Sequence, residues 1–283
     1  MGAVPLERFR AIAEGLDHPE GVAWGYHDGR VYAGGEAGQV YAVDPDGSIR
    51  EIASTGGFLY GIALDGDGNV YGCDFGRAEL VRVHPSGEVE TLSRGTEERA
   101  MSVPNFCAFD DAGALYVTDS GEWGRDDGVV YRVQPDGRTE LWGGELTAFP
   151  NGCCLTAEGD ALLVVESLGR RVARVPILAD GSAGEPSAVV ELPGSQPDGI
   201  ALAADGTMLV SCYRPDRIWV VSPGGRPEIL AEDPDGIVLN QPANVAFIGE
   251  GLDRVAVSSL GGWSPVEADV GLVGLPLRTP RLG

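Results

Sequence analysis

The chain has 283 residues, 43% of them hydrophobic, and 43 acidic against 20 basic residues leave a formal net charge of −23. Such acidity excludes nonspecific binding to nucleic acid or an anionic membrane, both of which need basic patches, and no apolar run reaches the roughly 18 residues of a membrane helix. Every basic residue is arginine, which excludes Schiff-base chemistry on a lysine and a Walker-type phosphate loop.

The opening Met1–Glu7 has no basic segment leading into an apolar stretch, so it does not read as a secretory signal. The five cysteines, Cys73, Cys107, Cys153, Cys154 and Cys212, are odd in number and sit inside apolar runs. They are expected to be buried thiols of a cytoplasmic protein rather than disulfides, metal ligands or nucleophiles.

From residue 20 onward the chain repeats itself. A turn, a short apolar run, an Asp/Gly-rich turn and a second apolar run recur six times, at steps of 40 to 47 residues. The pairs are Glu20–Trp24 with Arg30–Ala33, Tyr60–Leu64 with Asn69–Gly72, and Asn105–Phe109 with Ala114–Val117. The second half has Asn151–Leu155 with Ala161–Val164, Asp198–Leu202 with Thr207–Val210, and Ala243–Phe247 with Arg254–Val257. Two further strand-like runs follow each pair. Val40–Val43 and Ile49–Ile52 flank Asp44-Pro45-Asp46-Gly47, and Val130–Val133 and Thr139–Trp142 flank Gln134-Pro135-Asp136-Gly137. Such turns between alternating runs are hairpin signals.

Four antiparallel strands per repeat are one propeller blade. The expectation is an all-β, six-bladed β-propeller forming a single domain over residues 1–283. Gly271–Leu275 is the expected third strand of the last blade. Phe9–Ala13, which resembles Ile49–Ala53, is the expected fourth, closing the ring and removing two sheet edges. A two-domain β-sandwich is the alternative, but the even spacing offers no boundary for it.

Inner strands of a propeller line its channel, so the first residues of the repeats form a ring: Glu20, Tyr60, Asn105, Asn151, Asp198 and Ala243. Four of the six carry carboxylate or amide oxygens, two of each, which is a donor set for a hard divalent cation. Turn chemistry is the competing account of Asn105, Asn151 and Asp198, which follow Pro104, Pro150 and Pro197. Glu20, after Pro19, is not a favoured turn residue. A second acidic register, Asp74, Asp119 and Glu166, is expected to accept hydrogen bonds from loop N–H groups. Glu122, in the loop after Asp119, either reaches the channel mouth or is a solvated loop carboxylate. Trp24, Trp142 and Trp219 lie in strand patterns and are assigned to packing. Neither a G-x-S-x-G elbow nor an H-E-x-x-H helix occurs.

The stretches His18-Pro19-Glu20-Gly21 with Trp24, Pro104-Asn105 with Asp110–Asp119, Pro150-Asn151-Gly152 with Glu166-Ser167, and Pro197-Asp198-Gly199 resemble, in this order and spacing, the gluconolactonase family that includes regucalcin, the senescence marker protein. The resemblance implies a six-bladed propeller with one divalent metal in its channel, calcium foremost, with magnesium, manganese, zinc or iron as alternatives. It matches Glu20, Asn151 and Asp198 to the metal ligands. Asn105 corresponds to the channel asparagine that contacts substrate or the metal's water shell, and Asp198 to the general base. Sugar-lactone members commonly carry arginine two residues before that asparagine and aspartate directly after it; here Val103 and Phe106 stand there. Hydrogen bonds to hydroxyl groups are lost with that change, so the expected substrate is a lactone or ester less polar than an aldonolactone. Tyr60, Asn105, Phe106 and Glu122 are its candidate contacts. A metal-assisted cyclase, dehydratase or isomerase on the same core, and a non-catalytic binding propeller, are the other readings.

Overall fold

A computed structural model describes residues 2–282. After a 3-10 turn at Leu6–Arg8, strand β1 (Arg10–Ala11) precedes the repeats. Blade 1 comprises β2 (Val22–Gly25), β3 (Arg30–Gly34), β4 (Gln39–Val43) and β5 (Ile49–Ser54). Blade 2 comprises β6 (Leu59–Leu64), β7 (Val70–Asp74), β8 (Glu79–Val83) and β9 (Val89–Ser93). Blade 3 comprises β10 (Pro104–Phe109), β11 (Leu115–Asp119), β12 (Val129–Val133) and β13 (Thr139–Gly143). Blade 4 comprises β14 (Pro150–Leu155), β15 (Ala161–Glu166), β16 (Arg171–Pro176) and β17 (Ser187–Glu191). Blade 5 comprises β18 (Gln196–Leu202), β19 (Met208–Arg214), β20 (Asp216–Val221) and β21 (Glu228–Glu232). In blade 6, β22 (Pro242–Ile248), β23 (Arg254–Ser259) and β24 (Val266–Ala268) are completed by β1. These six four-stranded antiparallel sheets form the expected six-bladed β-propeller, with each inner strand packed on the next and β2 packed on β22.

The turn signals act as their chemistry requires. At Pro135-Asp136-Gly137, Gly137 takes φ +84°, a conformation that costs a residue with a Cβ. Its N–H donates to the Gln134 carbonyl at 2.9 Å, and the Asp136 carboxylate accepts from the Arg138 N–H at 3.2 Å. The core lies between blades rather than along the axis. Tyr32, Val40 and Ala42 of blade 1 pack on Leu59, Val70 and Val81 of blade 2, and equivalent clusters join the other blades. Trp24, Trp142 and Trp219 are buried in these interfaces, and all five cysteines are buried and free.

The ring closes through the N-terminus, Arg10 pairing with Glu267 and Ala11 with Val266, while Phe9, Ala13 and Leu16 are buried beside them. One expectation is corrected. The third strand of blade 6 is β24, Val266–Ala268, and Gly271–Leu275 lies outside that sheet. Asp269-Val270-Gly271 turns the chain away, with Gly271 at φ +72° and its N–H bonded to the Asp269 carboxylate at 2.8 Å.

The chain then runs beneath the propeller as a strap that touches every blade. The Val273 carbonyl accepts from Ala204 and the Leu275 N–H donates to the Leu202 carbonyl, both at 2.8 Å, and the Gly274 N–H donates to Leu252. The Leu277 N–H donates to the Tyr26 hydroxyl at 2.9 Å. Arg278 bonds the Asp111 carboxylate at 3.0 Å and the Thr156 and Ala157 carbonyls at 3.1 Å. The Pro280 carbonyl accepts from Gly66, and the Leu282 N–H donates to Asp67. All these partners lie at or near the turns between first and second strands. Leu275–Thr279 therefore closes that end of the channel over an apolar lining that includes Val22, Ile62, Cys107 and Ile200.

Candidate metal centre

Antiparallel pairing puts the start of each inner strand beside the end of the second strand, as in Pro104 opposite Asp119 and Pro150 opposite Glu166. The end opposite the strap is the mouth, and there the acidic register clamps the loops as expected. The Asp119 carboxylate accepts from the Ser102 N–H at 2.7 Å and the Val103 N–H at 3.1 Å. Asp74 accepts from the Phe58 and Arg77 N–H groups at 3.0 Å. Glu166 accepts from the Ala148 N–H at 3.1 Å and pairs with Arg171.

Between these clamps the four oxygen-bearing ring residues, Glu20, Asn105, Asn151 and Asp198, are all buried. Each keeps one buried side-chain oxygen without a hydrogen-bond partner: Glu20 Oε2, Asn105 Oδ1, Asn151 Oδ1 and Asp198 Oδ1. Buried polar atoms are normally paired, so four orphans at one register call for a partner, an ion or a water among the candidates.

The orientation of the two amides follows from two serines. Ser120 Oγ donates its only proton to the Pro150 carbonyl at 2.7 Å, so toward Asn105 it can only accept; Asn105 Nδ2 donates to it at 3.0 Å. Blade 4 repeats the device, Ser167 Oγ donating to the Pro197 carbonyl at 2.7 Å and accepting from Asn151 Nδ2 at 3.1 Å. Each amide nitrogen is thus engaged, and each amide oxygen is left free as an acceptor.

The carboxylates are electrostatically strained in the absence of a cation. Burial pushes the Glu20 carboxyl well above the ordinary range, and the charge of Asp198 adds to it. Asp198 is pushed up to about 8 by burial, against a hydrogen bond from the Asn151 side chain that lowers it. Two buried carboxylates that disfavour ionisation together, beside two amide oxygens with no partner, are a donor set a divalent cation satisfies. The residues fit the ion that the sequence implies.

One step deeper along the inner strands stand Gly21, Gly61, Phe106, Gly152, Gly199 and Asn244. A Cβ on Gly21 would meet the Tyr60 carbonyl oxygen at 2.2 Å, and one on Gly152 the Asp198 carbonyl oxygen at 2.6 Å, so these strands approach too closely for side chains. Phe106 and Asn244 are the exceptions, with the Phe106 ring against Gly61.

Asn244 escaped the sequence reading, which stopped at Ala243. Asn244 is buried, its Nδ2 donates to the Glu20 carbonyl at 3.1 Å, and its Oδ1 has no partner. Ser120 and Ser167 were also missed as supports; their signal is the acid-serine dipeptide ending the second strand of blades 3 and 4. Tyr60 is half-buried at the ring. Burial and then the charges of Glu20 and Asp198 hold its hydroxyl far above the ordinary tyrosine range. Glu122 is not brought to the ring: its side chain is 63% exposed and pairs with Arg125 at 2.8 Å.

The family model described as SMP-30/gluconolactonase/LRE-like region matches residues 18–261. The chain belongs to that family. Among solved structures, a gluconolactonase from Xanthomonas campestris superposes with a TM-score of 0.80 at 19% identity, covering 93% of this chain and 89% of its own. A calcium-binding regucalcin from Agrobacterium tumefaciens gives 0.78 at 17% identity, covering 97% of each chain. A luciferin-regenerating enzyme gives 0.77 at 19% identity, covering 98% of this chain and all of its own. At these identities the likeness is one of fold. Comparison with curated proteins gives no significant match.

Proposed function

We propose that the protein is a divalent-metal-dependent lactonase whose substrate is less polar than an aldonolactone. The observation that carries this reading is the set of four buried, partnerless oxygens at one register of four blades. Family membership and the fold shared with a gluconolactonase support the reaction class, and the regucalcin described as calcium-binding supports calcium as the first ion to test.

Glu20, Asn105, Asn151 and Asp198 would hold the ion. When bound, it supplies Lewis-acid polarisation of the substrate carbonyl. The protein's own part is to orient and to move protons. Asp198 orients a water toward the carbonyl carbon and accepts its proton as the new C–O bond forms. The proton passes to the ring oxygen as the ring C–O bond breaks, so lactone and water give one hydroxy acid. Asn105 and Tyr60, next to each other in ring order, are positioned to contact the lactone. Val103 and Phe106 bring no hydrogen-bonding side chain, which disfavours a polyhydroxylated ring.

The test is hydrolysis by metal-stripped protein resupplied with calcium, magnesium, manganese, zinc or iron. Alkyl-substituted γ- and δ-lactones are compared with gluconolactone. The expected result is ion-dependent hydrolysis that favours alkyl lactones and falls at least a hundredfold in Glu20→Gln and Asp198→Asn. Hydrolysis equal in stripped protein and in both variants would overturn the reading.

A further inference from the structure

The four oxygen donors are not spread evenly. They come from blades 1, 3, 4 and 5, while blade 2 places Tyr60 in the ring and blade 6 places Ala243. The blade 2 side is aromatic. Tyr60 stacks on Phe75, centroids 5.0 Å apart and planes 8° apart. Phe58 meets Tyr60 edge-on at 4.8 Å and Phe75 at 6.3 Å. Phe58 precedes β6 and Phe75 follows β7, so both stand at the mouth, where Asp74 fixes the loop through the Phe58 N–H. Phe75 is 39% exposed although it is a large apolar side chain.

This exposure is directional. The exposed aromatic side chains among the described residues are Tyr26, Phe75, Trp123 and Trp263. Tyr26 is at the strap end, where its hydroxyl holds Leu277. The other three follow second strands, at the mouth, and Trp123 is backed edge-on by Phe149 at 4.7 Å. Exposed apolar surface is common, but three exposed aromatic rings at the end that carries the unsatisfied polar atoms mark it as a candidate binding face.

We propose that the substrate carries an aromatic ring, which seats on the Tyr60–Phe75 pair at the blade 2 side of the ring while the lactone carbonyl faces Glu20, Asn105, Asn151 and Asp198. This deepens the lactonase reading and rests on it. The two fixed rings, already parallel and braced by Phe58, offer a preorganised surface to a third ring, and offset or edge-on aromatic contact adds to simple area burial. A saturated ring of equal size lacks that added contact.

The experiment uses calcium-loaded full-length protein and two matched esters, γ-phenyl- and γ-cyclohexyl-γ-butyrolactone, with wild type, Phe75→Leu and Phe75→Ala. Binding of the corresponding phenyl and cyclohexyl lactams, which resist hydrolysis, is measured by calorimetry, and melting curves confirm folding. The expected wild-type preference for phenyl over cyclohexyl is about three- to tenfold in kcat/KM and in lactam affinity, with the ratio falling to near one in Phe75→Leu. A ratio near one in wild type, or one unchanged in both variants, overturns the proposal, including where the face serves some other partner. Hydrolysis without phenyl preference removes the aromatic site and leaves the lactonase. Phenyl-selective, Phe75-dependent lactam binding without hydrolysis does the reverse. If neither binding nor hydrolysis is seen, both fall.

Discussion

Glu20 and Asp198 are costly residues to bury, and the metal-free protein should show it. Their folded-state carboxyls hold protons that an unfolded chain releases near pH 4. Native protein therefore binds more protons than unfolded protein between about pH 4 and about 8, the value to which Asp198 is raised, and stability falls as pH rises through that window. A cation reverses the preference. The difference in melting temperature between calcium-loaded and chelator-treated protein should widen from pH 5 to pH 8. A constant difference would show that these carboxyls are not strained. The serines supply a second expectation. Ser167→Ala removes one of the acceptors that hold Asn151 Nδ2, loosening the orientation of the amide. Supports of metal ligands typically contribute tenfold or more to affinity, so calcium affinity should fall about tenfold by calorimetry while Ser167→Thr retains part of it.

Why these supports were hard to read in the sequence is a matter of register. The ring residues are legible because Glu20, Asn105, Asn151 and Asp198 open their repeats at blade spacing. Asn244 is not, because it stands one residue past that position, where glycine occupies four of the six blades. Its role depends on a contact between first and last blades, with the Glu20 carbonyl 224 positions away, and periodicity carries no such information. For Glu122 the structure favours the solvated-loop alternative, with its carboxylate exposed and paired with Arg125.

At the scale of elements, β1 was legible because Phe9–Ala13 matches the outer strand of blade 1. The strap was not. Gly271-Leu272-Val273-Gly274-Leu275 has the composition of a short strand, and only the Asp269–Gly271 turn diverts it from the sheet. Its partners are backbone groups and side chains at turns of all six blades, which no local pattern encodes. The strap fastens the end of the propeller away from the ring of oxygen donors, so stability and function should separate there. Arg278→Ala loses bonds to Asp111, Thr156 and Ala157, about 1–2 kcal/mol in total, read as a lower denaturant midpoint. Calcium affinity should stay within twofold. A comparable loss of affinity would mean that the strap shapes the mouth.

For the whole molecule, the net charge of −23 is mostly turn and loop chemistry, as at Asp46, Asp136, Asp180 and Asp205, whose carboxylates accept neighbouring N–H groups. Among the acids, only Glu20 and Asp198 are buried at the register where four blades carry orphaned oxygens. The propeller brings residues spread from 20 to 198 to one end of the ring, and its C-terminal strap crosses the opposite end. We propose that this ring of oxygens holds a single cation. Isothermal titration of chelator-treated protein with calcium at pH 8 addresses it directly. One ion per chain, with affinity reduced at least a hundredfold in Glu20→Gln and in Asp198→Asn, is the expected result; no saturable binding of calcium or of any other divalent ion, or binding unchanged in both variants, would contradict it.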